Sequence, residues 1–97
     1  MPKYVVLYGN KRKGDLPPDL LKSHINHLRI LHSQGVLQLC GPLKNSGGKA
    51  LLIFEAGSGR EVEGYVSQDP FIVQAWYASY RVYEWMEVNV GNSLPMD

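Results

Sequence analysis

Leu20-Leu21-Lys22-Ser23-His24-Ile25-Asn26-His27-Leu28-Arg29-Ile30-Leu31-His32 is the stretch on which the fold turns. Leu20, His24, Leu28 and Leu31 fall at helical spacing on one stripe. The segment therefore reads as an amphipathic helix whose stripe faces the body of the protein. Pro17-Pro18-Asp19 sets its start, because proline is tolerated in a first helical turn. The pattern predicts a helix to about Gln34, with Gly35 as its C-terminal cap.

Strand-like runs flank this helix. Tyr4-Val5-Val6-Leu7-Tyr8 is β-branched and aromatic, as strands prefer, and a polar loop is expected from Gly9 to Asp15. A second strand is expected over residues 36–40, stopped by Gly41-Pro42. Asn45-Ser46-Gly47-Gly48 signals a turn, and a third strand follows over residues 50–55. The second and third strands should form an antiparallel hairpin. Ser58, with Glu61 three residues later, reads as a capping box opening another helix. Asp69 can cap a short helix that starts at Pro70 and runs through Phe71, Ile72 and Trp76. Residues 79–90 read as a long final strand, and residues 91–97 as a short, polar, mobile tail. The order is β-α-β-β-α-β. It predicts an α+β, ferredoxin-like fold: one domain over residues 1–97, with helices against one face of an antiparallel sheet.

Composition narrows the function classes. The 97 residues carry ten basic and nine acidic side chains, a formal charge of +1, too balanced for a nucleic-acid binder. The single cysteine rules out an internal disulfide framework and a cysteine-rich zinc site. No apolar segment is long enough to span a bilayer. The start at Met1-Pro2-Lys3-Tyr4 shows no signal-peptide pattern, so a cytoplasmic location is expected.

The strands do not alternate cleanly between apolar and polar residues, as a sheet covered on one side should. The first has Tyr4, Val6 and Tyr8 on one face, Val5 and Leu7 on the other. The third has Ala50, Leu52 and Phe54 against Leu51 and Ile53. The fourth has Tyr80, Val82, Met86 and Val88 against Tyr83 and Trp85. Two helices cover one face. A second copy of the same sheet is the simplest cover for the other, which predicts a homodimer.

His24 is the first chemical candidate. An imidazole on an apolar stripe must find a partner or a use. One reading is a core histidine bonded to a backbone carbonyl. The other is a proton-transfer group in a cleft. His27 lies one helical turn away, but His24, His27 and Asp69 match no strong metal motif, and no metal or cofactor is called for. His32 should favour the helix dipole at the C-terminal end. Cys40 reads as a small buried apolar residue, at a strand end that also permits a reactive thiol. Lys11-Arg12-Lys13 reads as a solvated loop, with anion binding as the other reading. Trp76, Tyr77, Tyr80, Tyr83 and Trp85 read as core and interface rather than a ligand cage.

From about Tyr4 to Val90 the chain resembles the YciI-like (YCII-related) family of small dimeric α/β-barrel proteins. The best-fitting stretch is His24 through Pro42: the helix with His24 and Leu31-His32, then Gly35, then the strand ending in Gly41-Pro42. Gly47-Gly48 and Asp69-Pro70-Phe71 also fit. The basic run Lys11-Arg12-Lys13 is not part of the motif, and the loop between strands two and three is short. The resemblance implies an active-site pair of a first-helix histidine and the aspartate of the D-P segment, here His24 and Asp69. It also implies a ferredoxin-like subunit that dimerises through its sheet.

A His–Asp pair suits proton transfer: the carboxylate holds one ring nitrogen and leaves the other to move a proton. No nucleophile is evident for a hydrolase triad. Isomerisation fits, as does elimination such as dehydrochlorination of a cyclic, hydroxylated substrate. Two classes stand: a small lyase or isomerase using His24 and Asp69, and a non-catalytic dimeric module that binds a small ligand or supports a partner enzyme. In a structural version of the pair, Asp69 caps its helix and His24 fastens two elements together.

Overall fold

The computed structural model describes residues 1–91, in the order β1 (Lys3–Lys11), α1 (Pro18–Ser33), β2 (Leu37–Leu43), β3 (Lys49–Glu55), α2 (Gly59–Ser67), α3 (Pro70–Val73) and β4 (Tyr77–Trp85). The strands form one antiparallel sheet in the order β2-β3-β1-β4. This is the ferredoxin-like α+β architecture expected from the element order.

The side-chain pattern sets the layering. Tyr4, Val6 and Tyr8 of β1 are buried, as are Ala50, Leu52 and Phe54 of β3. From the helices, Leu20 and Leu31 of α1, Val62 and Val66 of α2 and Phe71 of α3 join the same core. Leu28 is half-buried against it, so the helix phase read from the sequence holds and His24 faces inward. Gly35 adopts φ 76° and closes α1, with Val36 N–H donating to Leu31 O at 3.0 Å. Ser58 Oγ accepts from Glu61 N–H at 3.2 Å, and Glu61 Oε2 accepts from Gly57 N–H at 3.2 Å. This is the expected helix start, with the glutamate reaching one residue further back than a standard capping box.

Four boundaries differ from the sequence reading. β1 continues past Tyr8 to Lys11, because Gly9 and Lys11 still pair with Ser79 and Tyr77. β2 runs through Gly41-Pro42 to Leu43. It is an edge strand, where the missing proline N–H need not interrupt a ladder. α3 stops at Val73: Ala75 takes φ 55°, a left-handed turn that ends the helix and leaves Trp76 outside it. β4 spans Tyr77–Trp85 rather than 79–90. Its partner β1 begins at Lys3, opposite Trp85, so residues 86–90 have no strand to pair with. Met86 and Val88 are consequently exposed and do not extend an apolar sheet face. Of the expected mobile tail, residues 92–97 lie outside the described residues.

Candidate functional site

Asp69 is the one polar or charged residue among the described residues that is buried, at 0% exposure for the whole residue. A carboxylate there needs every hydrogen bond it can get, and three donors converge on it. His24 Nδ1 lies 2.7 Å from Oδ1. The Phe71 N–H donates to the same oxygen at 2.9 Å, the N-cap bond expected of an aspartate before Pro70. The Tyr8 hydroxyl donates to Oδ2 at 2.7 Å. Three elements thus meet at one carboxylate: β1 through Tyr8, α1 through His24, and α3 through its own first turn.

The charges follow from this packing. Burial by itself pushes the Asp69 carboxyl up. The hydrogen bond and charge of His24, then the Phe71 N–H and the Tyr8 hydroxyl, outweigh burial and hold it below its ordinary value. Asp69 is therefore ionised at neutral pH, and the proton in the pair sits on Nδ1, which donates. Burial raises the Tyr8 hydroxyl, helped by the Asp69 charge, so Tyr8 stays a donor.

The His24 ring is fixed in one further way. It stacks on Phe71 with ring centroids 3.6 Å apart and planes 7° from parallel. Its side chain is 14% exposed, against 1% for Asp69. With Nδ1 committed to the carboxylate, Nε2 has no partner among the described residues. The ring also lines a cavity of about 470 Å³ between α1 and the β2–β3 side of the sheet. Tyr8, Phe71, Trp76 and Tyr77 give it aromatic walls, and Leu16, Leu28 and Leu52 aliphatic ones. An apolar recess with a few polar groups aimed into it is the usual form of a small-molecule site.

The structure thus brings His24 and Asp69 into contact within one subunit. The other candidates scatter. His27 Nε2 pairs with Tyr65 O at 3.0 Å and ties α1 to α2 instead of joining Asp69. His32 Nδ1 pairs with Leu37 O at 2.8 Å, fastening the α1–β2 turn rather than serving the helix end through its dipole alone. The described residues hold no cluster of three or more metal-ligating side chains. Cys40 is exposed, not buried as expected, because β2 continues as an open edge past it. Its thiol is pushed up by burial of part of the side chain and by the Asp69 charge, which works against a reactive thiolate. Of the aromatic group, Trp76 and Tyr77 are core residues that also form cavity wall, and Tyr83 and Trp85 are exposed on the open face.

Two participants were not assigned a place from the sequence. Tyr8 shares a strand face with Tyr4 and Val6, and a buried tyrosine hydroxyl must find an acceptor. That argument points inward but does not name Asp69. Lys11 reads as loop, yet it is a strand residue that lines the cavity.

A family model, that of the YCII-related domain, matches residues 3–86. No curated protein matches the chain at a significant level. Among solved structures, the chain is similar to the 5-chloro-2-hydroxyhydroquinone dehydrochlorinase TftG of Burkholderia phenoliruptrix AC1100, in complex with 2,5-dihydroxybenzoquinone. The two share 26% identity over 84% of this chain and 92% of that one, with a TM-score of 0.58. A protein of Arabidopsis thaliana has the same fold at 15% identity, with 97% of this chain and all of that one covered and a TM-score of 0.54.

Proposed function

The chain belongs to the YCII-related domain family, and on that premise we propose that it is a small-molecule lyase or isomerase working by proton transfer at His24. One observation carries the reading. A histidine ring is held through Nδ1 on a buried, ionised carboxylate and lines an apolar cavity of about 470 Å³. His24 is the catalytic residue. Nε2 takes a proton from a substrate carbon, and the freed electron pair forms a new double bond. In an elimination the leaving group departs with its bonding pair; in an isomerisation the proton returns at a different carbon. Asp69 is a positioning residue that fixes the tautomer and balances the imidazolium as it forms. Tyr8 and the Phe71 N–H hold the carboxylate in place.

The dehydrochlorinase neighbour supports a cyclic, hydroxylated substrate, since the substrate it is named for and the ligand bound to it are of that kind. The aromatic walls suit a flat ring. The first compound to try is 5-chloro-2-hydroxyhydroquinone, with chloride release as the readout. His24→Asn should fold normally and lose about 100-fold or more of the turnover, the usual share of general acid–base catalysis. An equally active variant sinks the reading. A variant of lowered stability, from a wild type that neither binds nor turns over such rings, would make the pair a structural tie in a non-catalytic module.

The proposal includes a homodimer joined sheet to sheet, with a cytoplasmic location. The apolar outer face of the sheet supports the dimer. Sedimentation at micromolar concentration should give twice the chain mass, and a clean monomer removes it. Fractionation of cells checks the location.

A further inference from the structure

Strict alternation along β1 would send Lys11 away from the cavity. Tyr4, Val6 and Tyr8 face the helices, so an odd-numbered residue belongs on the other side. Asn10 breaks the alternation. It adopts φ 56°, a left-handed conformation that asparagine tolerates, and its Nδ2–H donates to Ser79 Oγ at 2.8 Å. Beyond this break Lys11 comes round to the cavity side, opposite the buried Tyr77 in the strand register.

The lysine is then held along its length. Its ammonium lies 5.0 Å from the centroid of the Trp76 ring. Gly48, at φ 88°, packs against its stem: a Cβ there would fall 3.2 Å from Lys11 Cβ and 3.3 Å from Cε. Trp76 is itself fixed, with its carbonyl accepting from Arg12 N–H at 2.7 Å and the Arg12 guanidinium 5.1 Å from its ring. Arg12 reaches away to Gln74 O at 3.4 Å and does not line the cavity. Lys11 does line it, and makes no ion pair among the described residues. Its hydrogen bond, to Arg12 O, is stretched to 3.5 Å.

A cation without a carboxylate partner, pinned beside apolar walls, is arranged to meet a negative charge on a ligand. We propose that Lys11 is the anion-recognition residue of the cavity, and that the cavity takes planar cyclic compounds bearing a negatively charged oxygen. The proposal rests on reading the cavity as a small-molecule site, and it adds the charge class of what enters.

Calorimetric titration of the full chain tests it with two matched probe pairs: benzoate against benzamide, and 2,4-dinitrophenolate against 1,3-dinitrobenzene. The pairs separate carboxylate from phenolate as the source of the charge. At least one anion should bind about tenfold or more tightly than its neutral partner, within the range of one charge-assisted contact. Lys11→Met keeps the stem on Trp76 and Gly48, and should erase that preference while leaving the neutral probe unchanged. Lys11→Arg should restore it, and Arg12→Met should leave it intact. Equal binding of anion and neutral probe by the wild type, or a preference that survives Lys11→Met, overturns the role of Lys11 and leaves the cavity reading standing. Failure of all four probes to bind overturns both.

Discussion

The two faces of the sheet are built from neighbouring residues of the same strands and end up differently resolved. On the helix side, Leu52 and Phe54 are closed over by α1, α2 and α3, and the carboxylate among them has all its bonds. No buried side-chain polar atom is left without a partner among the described residues. On the other side, Val5, Leu7, Leu51 and Ile53 are half-buried by their neighbours in the sheet alone. Tyr83 and Trp85 stand 48% and 42% exposed beside them. The chain supplies its own cover for the first face. For the second the described residues supply an apolar surface and no cover, which soluble monomers rarely leave in water. Stability on the helix side should therefore be a property of the single chain, whereas any stability drawn from the open face must depend on protein concentration.

Removing the carboxylate is the strongest blow to the closed face. Asp69→Ala leaves the Tyr8 hydroxyl, the Phe71 N–H and the His24 ring without their common acceptor, so the loss should reach about 3–5 kcal/mol in urea unfolding. The acid limb of the stability profile belongs to the same group. Asp69 has a folded value below its unfolded one, so its contribution is present above the unfolded carboxyl value of about 3.9 and is lost as pH falls through the lower folded value. The variant should show a shallower acid limb. A change below about 1 kcal/mol, in the range of an ordinary substitution, would mean that the three bonds do not act together.

Leu52 and Leu51 test the comparison directly, because they are consecutive and face opposite ways. Leu52→Ala should cost about 2–5 kcal/mol at any protein concentration, as cavity-forming core substitutions do. Leu51→Ala should stay within about half a kcal/mol at dilutions where the chain is single. Leu51 sits mid-sheet, opposite Leu7 of β1 and Gly41 of β2. If sheets pair, Leu51→Asp should convert a dimer to a monomer in sedimentation while the monomer's fold survives. Equal, concentration-independent costs for Leu51→Ala and Leu52→Ala would break the contrast between the faces.

The element order was readable because each signal was local: the stripe Leu20, His24, Leu28 and Leu31, the Ser58–Glu61 cap, Asp69 before Pro70, and Gly35 at a helix end. Those signals also placed His24 inward and Asp69 at a helix start, but it was the family resemblance that joined them. Errors arose where tertiary context overrides a local rule. Pro42 stops a central strand but not an edge strand, and edge position is a property of the whole sheet. The end of β4 depends on where β1 begins, far away in sequence. Lys11 is a strand residue rather than loop because β1 still pairs with Ser79 and Tyr77 of β4, a partner distant in sequence. Cys40 departs from its expectation for the same kind of reason: its exposure depends on the course of β2.

Tyr8→Phe makes the finest cut, since it removes one oxygen and keeps the ring that packs at 5.3 Å from Tyr77. A hydrogen bond to a charged acceptor is worth about 1.5–3 kcal/mol, and the lower end is expected because Asp69 keeps its other two donors. The pH dependence separates this loss from simple repacking. The folded hydroxyl ionises well above its ordinary value, raised first by burial and then by the Asp69 charge. Its contribution is therefore full below the unfolded tyrosine value near 10, and falls as pH rises beyond it, because the unfolded chain releases a proton that the folded one keeps. The wild type should lose stability above about pH 10 more steeply than the Phe variant, and the gap between them should narrow. Tyr77 is raised as well, but it is common to both proteins and cancels in the difference. Parallel curves through the alkaline range would show that the Tyr8 hydroxyl is solvated, and would take the third donor away from the carboxylate that the closed face is built around.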